Sequence, residues 1–482
     1  MTRSISTDQG FLWINGQATP TLHSFAVYNP TNETIVSICG DGNATQFVQA
    51  IDAAHNAFAT WQFVAAEARA TAIEDWAAVI ESASDRLAEL VVAESGKLRA
   101  HAGHEIAAGV AALRWAAAQA RRDCEETLES SGPTQRRYTL KKPIGVVACV
   151  TPWNFPVASV LVKAGPAIAA GCTLVVKPSE ETPLIALELA RLSRDAGLPD
   201  GVFNVIPTSK PAAFGDVLKG DTRVRSLSFT GSTAVGKRLY ADCAQTVKRV
   251  SLEMGGNAPF IVFADADIDR AVNDAMGARF YNSGQICVGA NRFYIHEGVH
   301  DEFCEKLAKR VAALKAGDGM DPASDVGPVI NVKAKARITA LIEDAITKGA
   351  RVLAGGNETS GNFVAPTLLC DVTEDMDARH SEIFGPVAFV SKFKDVETVV
   401  ALANATKAGL AAYAYSRDLS FLSEIGHRLE AGMVGLNSTN IFSEDMPFGG
   451  IKESGIGREH GAECLEEYRE VISLVLEHGD TQ

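Results

Sequence analysis

Apolar residues recur at helical spacing through residues 46 to 120, which predicts a helical layer. Alternating and β-branched runs (RYTL, IGVVACV, CTLVVKPS) begin near residue 137 and predict strands. From there strand and helix alternate. Thr182 is placed to cap and Pro183 to open a helix through ALELARLSRDA, with Gly197 and Pro199 as its stop. GVFNVI reads as the next strand, VRSLSF feeds the turn and helix of TGSTAVGKRLYADCA, and VKRVSLEM is a further strand. A second series follows: PFIVF, a helix from about Asp267 to Tyr281, RFYIH, and a helix through VHDEFCEKLAKRVAALKAG. The expected fold class is therefore α/β, with two doubly wound parallel-sheet units sharing the chain. The polar stretch EETLESSGPTQRR, at 125–137, reads as an excursion from the first unit. The C-terminal ECLEEYREVISLVLEH is amphipathic and ends in an apolar run that should pack on something.

Length and composition narrow the class. At roughly one unit per 150 residues, 482 residues suit about three structural units. The 45 Lys and Arg against 59 Asp and Glu leave a net charge of −14, which disfavours a phosphate-binding surface large enough for nucleic acid. The longest apolar stretch, Phe155 to Val176, is broken by Pro156, Lys163 and Pro166, so it reads as strand and helix core and not as a membrane span. The N-terminal MTRSISTDQG has no apolar segment of the secretory kind. Nine cysteines occur without CxxC pairs or histidine clusters at ligand spacing, so reduced thiols, a cytoplasmic location and no metal are expected.

No GxGxxG follows a strand. What does is GSTAVGKR at 231–238, one residue short of a P-loop because Arg238 stands where a magnesium-binding hydroxyl belongs. A glycine-bearing helix N-terminus can still bind a pyrophosphate through its amides and dipole, or can be an ordinary turn. Cys287, in NSGQICVGANR, has small polar neighbours unlike the apolar packing around Cys149 and Cys172, and is either an inert buried thiol or a nucleophile. Glu253 ends an apolar strand and is either a salt-bridged structural carboxylate or a general base with a raised pKa. Asn154 in TPWNFP is a fixed amide donor or a turn residue.

In order, TPWNFP, KPSEETP, FTGSTAVG, LEMGG, GQIC, EIFGPV and PFGGIKESG resemble the NAD(P)-dependent aldehyde dehydrogenase superfamily. The motifs run from 151 to 455, and the resemblance covers essentially the whole chain. It implies an aldehyde dehydrogenase-like fold: an NAD-binding domain from 1–122 and 143–254, a catalytic domain at 255–453, and a small β oligomerisation element from 123–142 and 466–482. A homodimer or homotetramer follows from it. It also implies that Cys287 attacks the aldehyde as a thiolate, that the oxyanion is held by the Asn154 amide and the Cys287 backbone amide, and that Glu253 activates the water that hydrolyses the thioester. Lys177, Ser179 and Glu180 would hold the adenosine ribose. Gly231, Ser232 and Gly236 would meet the pyrophosphate, with Trp153 lining the same cleft. Glu382 and Phe384 would hold the nicotinamide half. A carboxylate at Glu180 would repel a 2′-phosphate, so NAD is expected over NADP.

For the substrate, relatives that oxidise succinate semialdehyde carry arginines where this chain has Val162 and Tyr281. With Phe155, Phe442 and Phe448 around the entrance, the expected substrate is an aromatic or medium-chain uncharged aldehyde. The alternative is a semialdehyde gripped by a substitute cation, His104 or, less directly, Arg114. Two remoter readings are a P-loop nucleotide hydrolase, which explains only GSTAVGK, and a catalytically silent binding member of the fold, which should lack Cys287, Glu253 or Asn154.

Overall fold

The computed structural model describes residues 10–122, 126–129, 132 and 134–477. Its first sheet is centred on the strand Val146–Val150. Thr173–Lys177 and Phe203–Val205 lie on one side and Val224–Thr230 and Arg249–Glu253 on the other, all five parallel. The VVACV run is continuous because both its faces are covered. Val147 and Cys149 join one core with the helices Ala66–Ser82, Arg99–Arg122 and Ala158–Ala170, while Val146 and Ala148 join another with Ala44–Trp61 and Thr233–Cys243.

An N-terminal hairpin extends this sheet. Phe11–Ile14 pairs antiparallel with Gln17–Pro20 and with Phe203–Val205. Its two-residue turn, Asn15 (φ 52°) and Gly16 (φ 70°), has the positive angles a tight hairpin needs. The reading from periodicity places no strand there.

The second sheet is also doubly wound. Thr367–Cys370, Val387–Phe393, Ala290–His296, Ala258–Val262, Ala411–Tyr415 and Met433–Leu436 run parallel, with Arg351–Ala354 antiparallel at one edge. A separate three-stranded sheet pairs Arg469–Glu477 with Gln135–Pro143 and then Glu126–Leu128. The amphipathic C-terminal segment is therefore a strand that docks on the excursion. The parts of the expected bridging element at 123–125, 130, 131, 133 and 478–482 lie outside the described residues.

One local expectation is corrected. The helix Pro183–Asp195 opens at Pro183, but the Thr182 side chain caps nothing and its hydroxyl is buried without a partner. The cap comes from Glu94, whose carboxylate accepts from the N–H groups of Leu184 (2.6 Å) and Ile185 (3.0 Å). A carboxylate bonded to two N–H groups at the positive end of the dipole does the work of a cap residue better than a hydroxyl.

Candidate active site

The first sheet reverses strand order between Val146–Val150 and Val224–Thr230, and the loops leaving their C-terminal ends open a crevice there. Trp153, Asn154 and Phe155 come from one loop, Thr230, Gly231 and Ser232 from the other, and Glu253 from the end of the next strand. The second unit closes the crevice with Cys287, Glu382 and Phe384, making a cavity of about 940 Å³.

The Cys287 loop is held by its own backbone and by pegs from neighbours. Asn282 (φ 48°), Ser283 (φ 57°) and Gly284 (φ 71°) are consecutive left-handed residues that reverse the chain after the helix Ile268–Phe280. Gly284 is required: a Cβ there would lie 2.1 Å from the carbonyl oxygen of Gly385. The buried guanidinium of Arg279 donates to the carbonyls of Gly284 (2.6 Å) and Ala290 (3.0 Å), bracketing the loop, and the Tyr413 hydroxyl donates to Val288 O (2.8 Å). Burial, with Glu382 and Glu253 adding, pushes the Cys287 thiol up to about 12. It is partly exposed to the cavity, unlike the other seven described cysteines, all buried.

Asn154 Nδ2 donates to Gln285 O at 3.0 Å, which fixes the amide plane beside the Cys287 loop and leaves its second N–H for the cavity. Glu253 is 3% exposed, and neither carboxylate oxygen has a hydrogen-bond partner. Burial holds its pKa well above the usual carboxylate range, the Glu459 charge adds to this, and Lys163 and Arg458 oppose it. Glu459 Oε1 accepts from Lys163 Nζ at 2.5 Å, and Lys163 also donates to Ser228 Oγ at 3.1 Å. Lys163 and Glu459 were not singled out from sequence, although a lysine inside the otherwise apolar helix Ala158–Ala170 was the available signal.

The cofactor expectations divide by place. Trp153, Gly231, Ser232, Glu382 and Phe384 line the cavity, and the Trp153 and Phe384 rings meet edge to face at 5.4 Å across it. Gly236 does not line it and packs on Met254 in the first turn of its helix. Lys177, Ser179 and Glu180 sit outside the cavity at the end of the adjacent strand, with Lys177 Nζ 3.1 Å from Glu180 Oε2. The crevice fits a dinucleotide: Ser232 is not used as a cap, and the buried Thr230 hydroxyl lines the wall unpartnered. Lys237 is engaged with Glu453 at 2.7 Å, so GSTAVGK does not present a P-loop lysine. Burial raises Glu382 to about 7.

Phe155, Val162, Tyr281, Phe442, Phe448 and His104 all line the same cavity. Arg114 does not: it pairs with Glu81 at 2.6 Å in a separate surface groove, so it is removed as a substitute cation. His460, not identified from sequence, stands beside Phe442 (4.8 Å), and burial lowers its pKa. Among the described residues no group of three or more His, Cys, Asp or Glu is placed to hold a metal, and no helix is long and apolar enough to cross a membrane.

Residues 13–474 match the family model described as "Aldehyde dehydrogenase family". The chain is 46% identical over 452 residues to "Succinate-semialdehyde dehydrogenase [NADP(+)] GabD" of Escherichia coli K12, covering 93% of this chain and 94% of that protein. It is 44% identical to the glutarate-semialdehyde dehydrogenase of Pseudomonas putida KT2440, with 93% and 94% covered. The solved structure of an E. coli enzyme described as NADP dependent superposes with a TM-score of 0.95 at 44% identity, covering 97% of this chain and 98% of that one. The expected NAD preference is overturned by these NADP-named relatives. The structure shows why Glu180 was a poor guide. Its side chain is 45% exposed and already paired with Lys177, so its charge is partly neutralised and solvent-screened.

Proposed function

The chain belongs to the aldehyde dehydrogenase family, and on that premise we propose that it oxidises an aldehyde to the carboxylic acid through a covalent adduct on Cys287, with NADP as acceptor. The observation that carries this reading is the convergence of Cys287, the Asn154 amide and an unpartnered Glu253 carboxylate on one cavity. Cys287 reacts as the thiolate, its proton passing to water in the cavity that it shares with Glu253. The thiolate attacks the carbonyl carbon, and the oxyanion is received by the free N–H of Asn154 and by the Cys287 backbone N–H. Held by Glu382 and Phe384, an oxidised nicotinamide would supply the hydride acceptor needed for the thiohemiacetal on Cys287 to become a thioester. Glu253 then takes a proton from water as the hydroxide adds to the thioester carbon, and the thiolate leaves. The charge of Glu459, paired with Lys163, raises the affinity of Glu253 for that proton.

Lys177 and Glu180 would meet the adenosine ribose, Ser232 and the helix N-terminus the pyrophosphate, and Glu382 and Phe384 the nicotinamide half. The relatives' names favour a semialdehyde as substrate. A second reading, an uncharged aromatic aldehyde, is favoured by the aromatic and aliphatic lining, in which Val162 and Tyr281 present no cation.

Steady-state kinetics on succinate and glutarate semialdehydes and benzaldehyde, each with NADP and NAD, test all of this. Reduced-cofactor formation with higher kcat/KM on NADP and on a semialdehyde is expected. A benzaldehyde preference of about tenfold, roughly 1.4 kcal/mol, would favour the second reading. No turnover on any aldehyde would contradict the activity.

A further inference from the structure

Beneath the oxyanion loop lies a fully buried ion pair that the chemistry above does not use. Lys97, just past the C-terminal Gly96 of the helix Ser84–Ser95, pairs with Glu105 on the helix Arg99–Arg122, and both side chains are 0% exposed. Its contacts converge on one segment of chain. Lys97 Nζ donates to the backbone carbonyl of Asn154 at 2.8 Å and sits 4.1 Å over the Phe155 ring. Glu105 Oε1 accepts from the N–H groups of Val157 (2.7 Å) and Ala158 (3.2 Å), at the start of the next helix. From the opposite side Asn282 Nδ2 donates to the same Asn154 carbonyl (3.1 Å) and shares Gln285 O with Asn154 Nδ2 (3.3 Å and 3.0 Å).

We infer that Lys97 and Glu105 are positioning residues that set the backbone of Asn154 so that its free amide N–H meets the oxyanion on Cys287. The inference rests on Asn154 being the oxyanion donor, as proposed above. An ion pair buried this deeply is weak evidence for stability, since burial of both charges offsets much of their attraction. A role in geometry explains its placement better: beyond their mutual ion pair, the side-chain hydrogen bonds of Lys97 and Glu105 go to residues 154–158. Lys97 does not itself line the cavity and reaches it through Asn154 and Phe155 of the loop, while Glu105 borders the cavity wall.

The test is a double-mutant cycle. Asn154→Ala should lower kcat about 100-fold to 1000-fold; if it does not, the oxyanion assignment fails first. Lys97→Met should lower kcat about tenfold to 100-fold, the scale of a misplaced catalytic group, with cofactor affinity by fluorescence titration unchanged. Lys97→Arg, which retains a donor to Asn154 O, should restore most of it. In the Asn154→Ala background, Lys97→Met should change kcat by less than about twofold, because there is no amide left to position. If Lys97→Met does not fold, Lys97→Met/Glu105→Leu removes both charges together and is read in the same cycle, while the near-isosteric Glu105→Gln provides a third point. A wild-type kcat in the Lys97 variant, or an equal loss with and without Asn154, would overturn the inference.

Discussion

The two walls of the crevice treat a buried carboxylate in opposite ways. Under the oxyanion loop Glu105, 3% exposed, is paired with Lys97 and bonded to two backbone N–H groups. Across the cavity Glu253, also 3% exposed, has no hydrogen-bond partner on either oxygen and lies near a second carboxylate, Glu459. A satisfied buried charge fixes geometry. An unsatisfied one costs folding free energy, and its raised affinity for a proton is what a base working near neutral pH requires. The difference teaches that burial alone does not leave a carboxylate available for proton transfer; the absence of a partner does.

The largest expected effect falls on the sulfur that both walls serve. Cys287→Ala should abolish aldehyde oxidation while cofactor titration stays near wild type, and retention of more than a few per cent of turnover would remove Cys287 as nucleophile. Next is stability. Glu105→Ala strands Lys97 in the core and should cost about 3–5 kcal/mol in denaturant unfolding, whereas Glu253→Gln should melt at or above the wild-type temperature. Equal losses would erase the contrast.

pH separates the walls further. Because the folded pKa of Glu253 lies above its unfolded value, its contribution to stability is fully present below the ordinary carboxylate range and is lost as pH rises through the raised value. Activity runs the other way: the deprotonated base is the working form, so kcat should rise with pH over the same window, and Glu253→Gln should flatten both profiles. The smallest effect tests the same rule at a hydroxyl. Thr182 is buried without a partner and Glu94 already caps its helix, so Thr182→Val should be neutral or stabilising by up to about 1 kcal/mol.

Period and punctuation were enough to read the central strands, since VVACV and TLVVK are buried on both faces and leave continuous apolar runs. The hairpin at Asn15–Gly16 was legible from its turn residues and went unread because the flanking strands are only four residues each. Cys287, Glu253 and Asn154 were visible as local oddities, a thiol among small polar residues and a carboxylate ending an apolar strand. Their convergence was not, because it depends on two separate sheets meeting. Lys97, Glu105 and Glu459 were missed, and Lys163 was visible only as a break in an apolar run, because their pairing is set by the fold: Lys97 lies in the connection before the helix that carries Glu105, and Lys163 and Glu459 meet across 296 residues of sequence. The cofactor reading failed at Glu180 because a residue type does not reveal whether its charge is enclosed or solvated.

The central claim is that the unpartnered Glu253 acts on the thioester by activating water. Mixing Glu253→Gln enzyme rapidly with NADP and a semialdehyde it turns over should release a burst of about one reduced cofactor per active site, followed by turnover at least about 100-fold slower than wild type, at the lower end of general-base contributions. A normal steady-state rate in that variant would contradict the account, and a slow enzyme with no burst would move Glu253 to the step that forms the thiolate.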